Sequence, residues 1–305
     1  MHNQVIQSLE KVLHNLWFIK ELSELILGAA FYFFEAFVRL FIPHCKKNVE
    51  GEIALVTGAA NGIGKLIAKE LGHHGATLVL WDINSDALDK TARELKQVLD
   101  VRVYAYTCDC SKRNEIYKVA ELTYKAFLPA MLQQNHGHLV CVACHGGLFA
   151  MNGLADYCAS KSAAVSFAES VALELLVLKK EGIKTTIVCP YLINTKMFRG
   201  CQTKRPSFLP ILDQRHVAKQ IVDAILQEKT YLLLPLSLHF LMALKSLMPA
   251  KLGIIFVNFI GGMDLMDHFR GVPVPIISYK SLSANEMTVS VIHRPPLSIT
   301  TKNHQ

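Results

Sequence analysis

Tyr157 and Lys161 stand four residues apart in the run Tyr157-Cys158-Ala159-Ser160-Lys161, so a helix there puts both on one face. An ammonium beside a phenol favours the phenolate and draws the tyrosine pKa down towards neutrality. Such a pair can pass a proton to or from a substrate oxygen, but alone it is common by chance. A second group precedes it. Thr57-Gly58-Ala59-Ala60-Asn61-Gly62-Ile63-Gly64 follows an apolar run and opens a helical pattern that extends to about His73. Glycine is needed where such a loop turns tightly and where the backbone must approach a pyrophosphate. The helix N-terminus behind it supplies free N–H groups and the positive end of a dipole. The bland alternative is a glycine-rich structural turn. The position between strand and helix favours a dinucleotide loop. The next apolar run ends in Asp82. An acid there accepts hydrogen bonds from a ribose 2′-hydroxyl and repels a 2′-phosphate. No Lys or Arg lies between Thr57 and Gly64 to offset it, so the expected cofactor is NAD(H) rather than NADP(H). A solvated strand end is the plain alternative for Asp82.

These groups need a framework. Apolar runs at 53–57, 76–81, 101–107, 138–143, 184–189 and 231–234 read as buried strands with helical patterns between them. That alternation predicts an α/β fold with a Rossmann-type, doubly wound parallel sheet over residues 50–235. Residues 1–49 form a separate unit. The stretch 22–42 is strongly apolar, but Glu24, Glu35 and Arg39 interrupt it. A spanning helix wants about 20 apolar residues. A membrane-anchoring helix lying in the interface, or a shallow hairpin, fits better than a full span. Residues 236–270 are apolar again and read as a cap over the cleft, a membrane contact, or both. From 271 to 305 the chain is rich in Pro, Ser and Thr and loses its period, which reads as a disordered tail.

Composition narrows the partners. Hydrophobic residues make up 51% of the 305 and charged ones 19%, an excess of apolar surface that has to be covered. The net charge of +7 is spread along the chain with no basic run interleaved with aromatics, which argues against nucleic acid and fits an anionic membrane surface. The eight cysteines are scattered through a chain too long to need staples and read as reduced thiols in the cytosol. Cys141-Val142-Ala143-Cys144-His145 matches a haem-attachment pattern, but it coincides with the end of an apolar strand run, and we read it as strand. No metal site is expected.

With the glycine loop and the Tyr157/Lys161 pair together, the sequence resembles the short-chain dehydrogenase/reductase superfamily over roughly residues 50–235. Asn48-Val49-Glu50-Gly51-Glu52-Ile53, Lys125-Ala126-Phe127-Leu128-Pro129-Ala130-Met131, the stretch around Tyr157, and Gly182-Ile183-Lys184-Thr185-Thr186-Ile187-Val188-Cys189-Pro190 resemble its family 16C branch. That resemblance implies a membrane-bound NAD-dependent oxidoreductase of lipophilic alcohols or ketones, retinoid or steroid. It implies location at the endoplasmic reticulum or a lipid droplet, with the catalytic domain facing the cytosol, and often a homodimer. It also implies that Asp109 approaches the adenine and that Ile193 and Thr195 approach the carboxamide.

Two departures follow from the same resemblance. The family's catalytic serine lies thirteen residues before the tyrosine, and Cys144 stands there. A thiol is a weak donor, and losing one such donor costs roughly 10²–10³ in rate. Between the third strand and the run 138–143 this chain shows one helical region, 113–134, where the family has helix, strand, loop and helix. An Asn-Asn-Ala-Gly motif and a catalytic asparagine have no counterpart, and the junction falls near Leu122-Thr123-Tyr124-Lys125. The expected sheet therefore lacks one central strand. Either the later strands close up beside the first, or a slot remains. The activity expected of such a chain is compromised, and an inactive remnant is the competing reading.

Overall fold

The computed structural model describes residues 2–38, 45–108, 127–198, 200–265, 267 and 269. Asp109, the junction at 122–125 and the tail from 271 lie outside these residues. The elements are helix α1 (His2–Val38), β1 (Ile53–Thr57), α2 (Gly62–His73), β2 (Thr77–Asp82), α3 (Ser85–Val98), β3 (Val103–Thr107), α4 (Leu128–Gln134), β4 (Gly137–Val142), α5 (Ala155–Val177), β5 (Ile183–Pro190), α6 (Gln214–Leu226), β6 (Tyr231–Leu234), α7 (Ser237–Leu247) and α8 (Ala250–Ile260). All six strands expected from the apolar runs are present, with ends displaced by no more than two residues. Local chemistry sets several boundaries. Asn84 caps α3 by accepting from the Ala87 N–H, and Asp213 caps α6 by accepting from His216 N–H.

The strands form two parallel three-stranded sheets, β1-β2-β3 and β4-β5-β6, rather than one. Of the two arrangements open from the sequence, the described residues take the one with a slot between β1 and β4. This corrects the expectation that all six strands are buried. β2 and β5 are, with Leu78, Leu80 and Val188 fully enclosed. β1 and β4 are edges: Ile53 is 59% exposed, Val140 37% and Val142 38%.

The halves are held together outside the sheet. α2 packs along α6, bringing Ile67, Ala68 and Leu71 against a face of α6 in which Val217, Ala218, Ile221, Val222 and Ile225 are all buried. One continuous apolar cluster runs through both halves. The segment before β1 straps across them, with Lys47 N–H donating to the Leu226 carbonyl at 2.8 Å and Lys46 paired to Asp223. Lys47 Nζ, which can only donate, reaches His138 Nδ1 on β4 at 2.9 Å. His138 is therefore the Nε2–H tautomer and donates to Thr186 Oγ1 at 2.7 Å, which donates in turn to the Lys229 carbonyl. At the mouth of the slot His136 Nε2 meets Glu52 Oε1 at 2.8 Å.

No helix among the described residues is long and apolar enough to cross a membrane. α1 is a single helix, and Leu16, Trp17, Phe18, Ile19 and Leu25 are exposed along it. α7 and α8 likewise expose Phe240, Leu247, Ile254 and Ile255.

Burial, and then the charges of Lys47 and Lys184, push His138 down to about 3. Burial pushes His145 down to about 4, against its hydrogen bond to Pro190. Both folded values lie below the ordinary histidine value of 6.5. The stability they contribute is thus whole above about pH 6.5 and is lost as the pH falls towards 3–4, by about 1.4 kcal/mol per pH unit for each group. Melting temperature should fall steeply from pH 6.5 to 4, and His138→Gln should flatten that slope. An unchanged slope in the variant would remove His138 from the account.

Candidate functional site

The glycine loop takes the form its chemistry requires. Gly58 and Gly62 hold φ of +67° and +58°, where L side chains are strained. A Cβ on Gly64 would collide with the Gly58 carbonyl oxygen. Asn61 is the extended N-cap of α2, and its side chain makes no capping bond, so the first-turn N–H groups of the helix stay available. Buried Thr91 donates to the Ala60 carbonyl at 2.8 Å, fixing the loop from α3.

Asp82 does work that its position in the sequence did not reveal. Its Oδ2 accepts the Ala60 N–H and its Oδ1 the Asn84 N–H, both at 3.0 Å. The carboxylate ties the glycine loop to the turn after β2, and each oxygen keeps a second lone pair. Asp82 does not line the main cleft, unlike Thr57, Gly58, Asn61, Gly62, Ile63 and Gly64.

That cleft, about 1160 Å³, continues from the loop through the slot to the second half of the molecule. Cys144, Tyr157, Lys161, Ile193 and Thr195 line its far side. The structure thus brings together every expected site residue except Asp82, which braces the loop from behind, and Asp109, which is not among the described residues. Tyr157 and Lys161 lie on α5, as the spacing predicted. The turn bearing Ile193 and Thr195 is pinned by a bridge from Ile193 to Leu212 and by Asn194 N–H donating to the Leu212 carbonyl.

The electrostatics differ from expectation. The Lys161 ammonium lies 5.6 Å from the centre of the Tyr157 ring, over its face. Burial, followed by the charge and hydrogen bond of Cys144, pushes the phenol well above its ordinary value. The expected lowering by Lys161 is therefore not realised in this arrangement, because the ammonium sits on the ring rather than at the hydroxyl. The phenol ring also meets Phe198 nearly at right angles, 5.8 Å between ring centres.

Cys144 is buried, and its Sγ lies 3.6 Å from the Pro190 carbonyl and 3.4 Å from His145 Nδ1. His145, its ring tilted against that of Tyr191 with 4.6 Å between centres, approaches the same carbonyl at 3.3 Å. A thiol has one weak proton to give, and here that proton already has the Pro190 carbonyl to go to. Sequence reasoning missed this polar knot behind Tyr157, since His145 and Pro190 meet only through the pairing of β4 with β5. The haem reading of Cys141–His145 has no support in this geometry: Cys141 donates to the Ala164 carbonyl and burial raises its pKa.

With strand, glycine loop and Tyr157/Lys161 cleft in place, the class is defined. A sequence profile described as short chain dehydrogenase matches residues 52–125 and 120–206, and the chain belongs to that family. It is 42% identical to epidermal retinol dehydrogenase 2 of Mus musculus over 301 residues, 84% of this chain and 97% of the relative. It is also 42% identical to short-chain dehydrogenase/reductase family 16C member 6 of Bos taurus over 279 residues, 77% of this chain and 88% of that one. Among solved structures it resembles a short chain dehydrogenase/reductase from Burkholderia phymatum in complex with NAD, with a TM-score of 0.56 and 20% identity over 66% of this chain and 94% of that one.

The comparisons also locate the departure. The profile matches in two pieces that meet at 120–125, where the sequence junction lies. An alignment of 301 positions that draws on 84% of 305 residues leaves about 45 positions of the mouse protein without a counterpart here.

Gly64→Ala should force the loop away from Gly58 and cost about 1–3 kcal/mol of stability. It should also weaken NADH binding at least tenfold, read by the cofactor's fluorescence. Wild-type affinity in this variant would show that the loop is not the cofactor's cradle.

Proposed function

We propose that this chain is a membrane-associated oxidoreductase of the short-chain type that holds NAD(H) in its cleft, with turnover far below that of its relatives. The substrate class is a lipophilic alcohol or ketone, retinoid or steroid in kind. The carrying observation is that the glycine loop and the Tyr157/Lys161 pair line one continuous cleft. The loop fits a pyrophosphate: two glycines at positive φ, a third in contact with the first, and a helix N-terminus without a side-chain cap. Bound NAD supplies the hydride acceptor. Of the chain's own groups, Tyr157 is the proton carrier for the substrate oxygen, and Lys161 is the cation that would face the nicotinamide ribose. Ile193 and Thr195 would meet the carboxamide.

Three features support low turnover. Cys144 is a weak donor already turned to a carbonyl. Tyr157 is held protonated by burial, so it is a poor base for alcohol oxidation near neutral pH. The halves bearing loop and tyrosine are not joined through the sheet, and a misplacement of about 1 Å can cost about 10²-fold. The second reading, a cofactor-binding protein without catalysis, is favoured by the same slot.

Membrane association, at the endoplasmic reticulum or a lipid droplet with the domain in the cytosol, rests on the exposed apolar residues of α1, α7 and α8. The described cysteines are free thiols, as a reducing compartment requires. On α5, Phe167, Leu173, Leu176 and Val177 are exposed and would suit a homodimer face.

Removing everything before Asn48 should shift the protein from the membrane fraction to the soluble one, and equal partition of both forms would defeat the anchor. NADH should bind at least tenfold more tightly than NADPH, with Asp82→Ala eroding both the preference and the affinity because it also frees Ala60. Equal affinities in the unmodified chain would refute the cofactor assignment. Membranes carrying the chain should oxidise all-trans-retinol barely above background. Inserting the relatives' missing segment at 122–124 together with Cys144→Ser should raise the rate by about 10²-fold or more. Robust retinol oxidation by the unmodified chain, abolished by Tyr157→Phe, would overturn the reading of low turnover.

A further inference from the structure

Cys144 is a nucleophile for which proton transfer finds only the part of a weak donor. Among the described cysteines it alone lines the cleft. Burial pushes the thiols of Cys141, Cys158 and Cys201 up and that of Cys189 to about 12. Cys141 and Cys158 also turn to backbone carbonyls, those of Ala164 and Phe149. These four are packing groups.

The surroundings of Cys144 are different. Its thiol is hydrogen-bonded to the Tyr157 hydroxyl, within the cleft. Behind it, His145 Nδ1 lies 3.3 Å from the Pro190 carbonyl, which can only accept. Burial pushes His145 down to about 4, so at neutral pH it is uncharged and carries its one proton on Nδ1. That N–H satisfies the carbonyl. The thiol, farther from it at 3.6 Å, can turn its proton to the Tyr157 oxygen without leaving the carbonyl bare.

The burial that makes Tyr157 a poor base keeps its proton in place for a carbonyl oxygen. An oxygen that accepts from Tyr157 lies beside Sγ, the phenol's other partner, with the carbonyl carbon one bond away. A thiol donates weakly to such an oxygen but is strongly nucleophilic towards the carbon. Holding thiol and carbonyl in one site favours an addition that is weak between free solutes in water. A ketone's second carbon substituent crowds and deactivates its carbonyl, so the thiol selects an aldehyde. Val142, Ala143, Ile193, Met197 and Phe198 line the cleft and suit an apolar tail.

We propose that Cys144 captures a lipophilic aldehyde as a hemithioacetal, with Tyr157 as the proton shuttle. This rests on the reading that the cleft takes a lipophilic carbonyl compound, and narrows it. Sγ bonds to the carbonyl carbon and the C=O π pair moves to the oxygen. That oxygen takes the Tyr157 proton, and the thiol proton passes to the Tyr157 oxygen. One S–C bond forms, no atom leaves, nothing is oxidised or reduced, and Tyr157 ends as it began.

The full chain in its membranes, mixed with all-trans-retinal in the absence of NADH and NADPH, tests this. Addition takes the carbonyl out of conjugation, so the band of the bound aldehyde should move to shorter wavelength. Extraction into solvent should return the aldehyde unchanged. Cys144→Ser should cut the shifted fraction at least tenfold, while quenching of protein fluorescence shows that the aldehyde still enters. Magnetic resonance of aldehyde labelled at its carbonyl carbon is the check that needs no variant: the unmodified chain should replace the aldehyde signal with that of a carbon bonded to oxygen and sulfur. Quenching with an unshifted band overturns the proposal and leaves the lipophilic substrate class standing. No quenching overturns both. A shift that survives in Cys144→Ser assigns the adduct to another thiol and overturns the proposal. So does an adduct that borohydride fixes on Lys161, which is an imine.

Discussion

A strand in the middle of a parallel sheet must satisfy two ladders, because its N–H and C=O groups point alternately to both sides. β1 and β4 each have one ladder, to β2 and to β5, and present the other side to a slot. The rest of the architecture answers to that constraint. Cohesion between the halves has moved out of the sheet into the α2–α6 pair and the strap at Lys46 and Lys47. A strand buried on both faces contributes about 1.5–3 kcal/mol per large apolar side chain. Its loss is comparable with the roughly 5–15 kcal/mol that keeps a domain folded. The edges are therefore where this molecule is weakest.

The same division runs through the site. The glycine loop grows from the end of β1, in the first half, and is braced by Asp82 and Thr91 of that half. Tyr157, Lys161 and Cys144 follow β4, in the second. Each cluster is locally well ordered by bonds within its own half, but what sets one against the other is helix packing and not a shared ladder. The pyrophosphate loop lies wholly in the first half. Proton transfer needs both halves in register to a fraction of an ångström. The structural division thus separates the glycine loop, which is built within one half, from the cleft as a whole, which both halves line.

Much of this was legible in the sequence because it is local. Strand runs, the strand–loop–helix setting of Gly58 to Gly64 and the i,i+4 placement of Tyr157 and Lys161 each depend on neighbours in the chain. The missing strand was legible through the resemblance, as an interval too short between loop and tyrosine. What could not be read depends on residues distant in sequence. Asp82 looked like a ribose ligand and is also the clamp on Ala60, a role set by how β2 ends beside the loop. Lys161 looked like the group that lowers Tyr157, but the direction of its ammonium, over the ring, is decided by packing in the cleft. The exposure of Ile53 and Val140 follows from which strands pair, and an apolar run does not record its partners.

A cleft with walls in two separately laddered halves couples whatever fills it to the stability of the whole. A ligand that contacts both halves binds the assembled form and not the separated one, so it stabilises assembly by RT ln(1 + [L]/Kd), about 2.7 kcal/mol at a hundredfold excess over Kd. A dinucleotide reaching from Gly58 to Ile193 would be such a ligand, since both residues line the one cleft. In a chain whose sheet is divided, occupancy of the cleft and integrity of the fold become one thermodynamic question, and the affinity of the cradle carries part of what the central strand would otherwise supply.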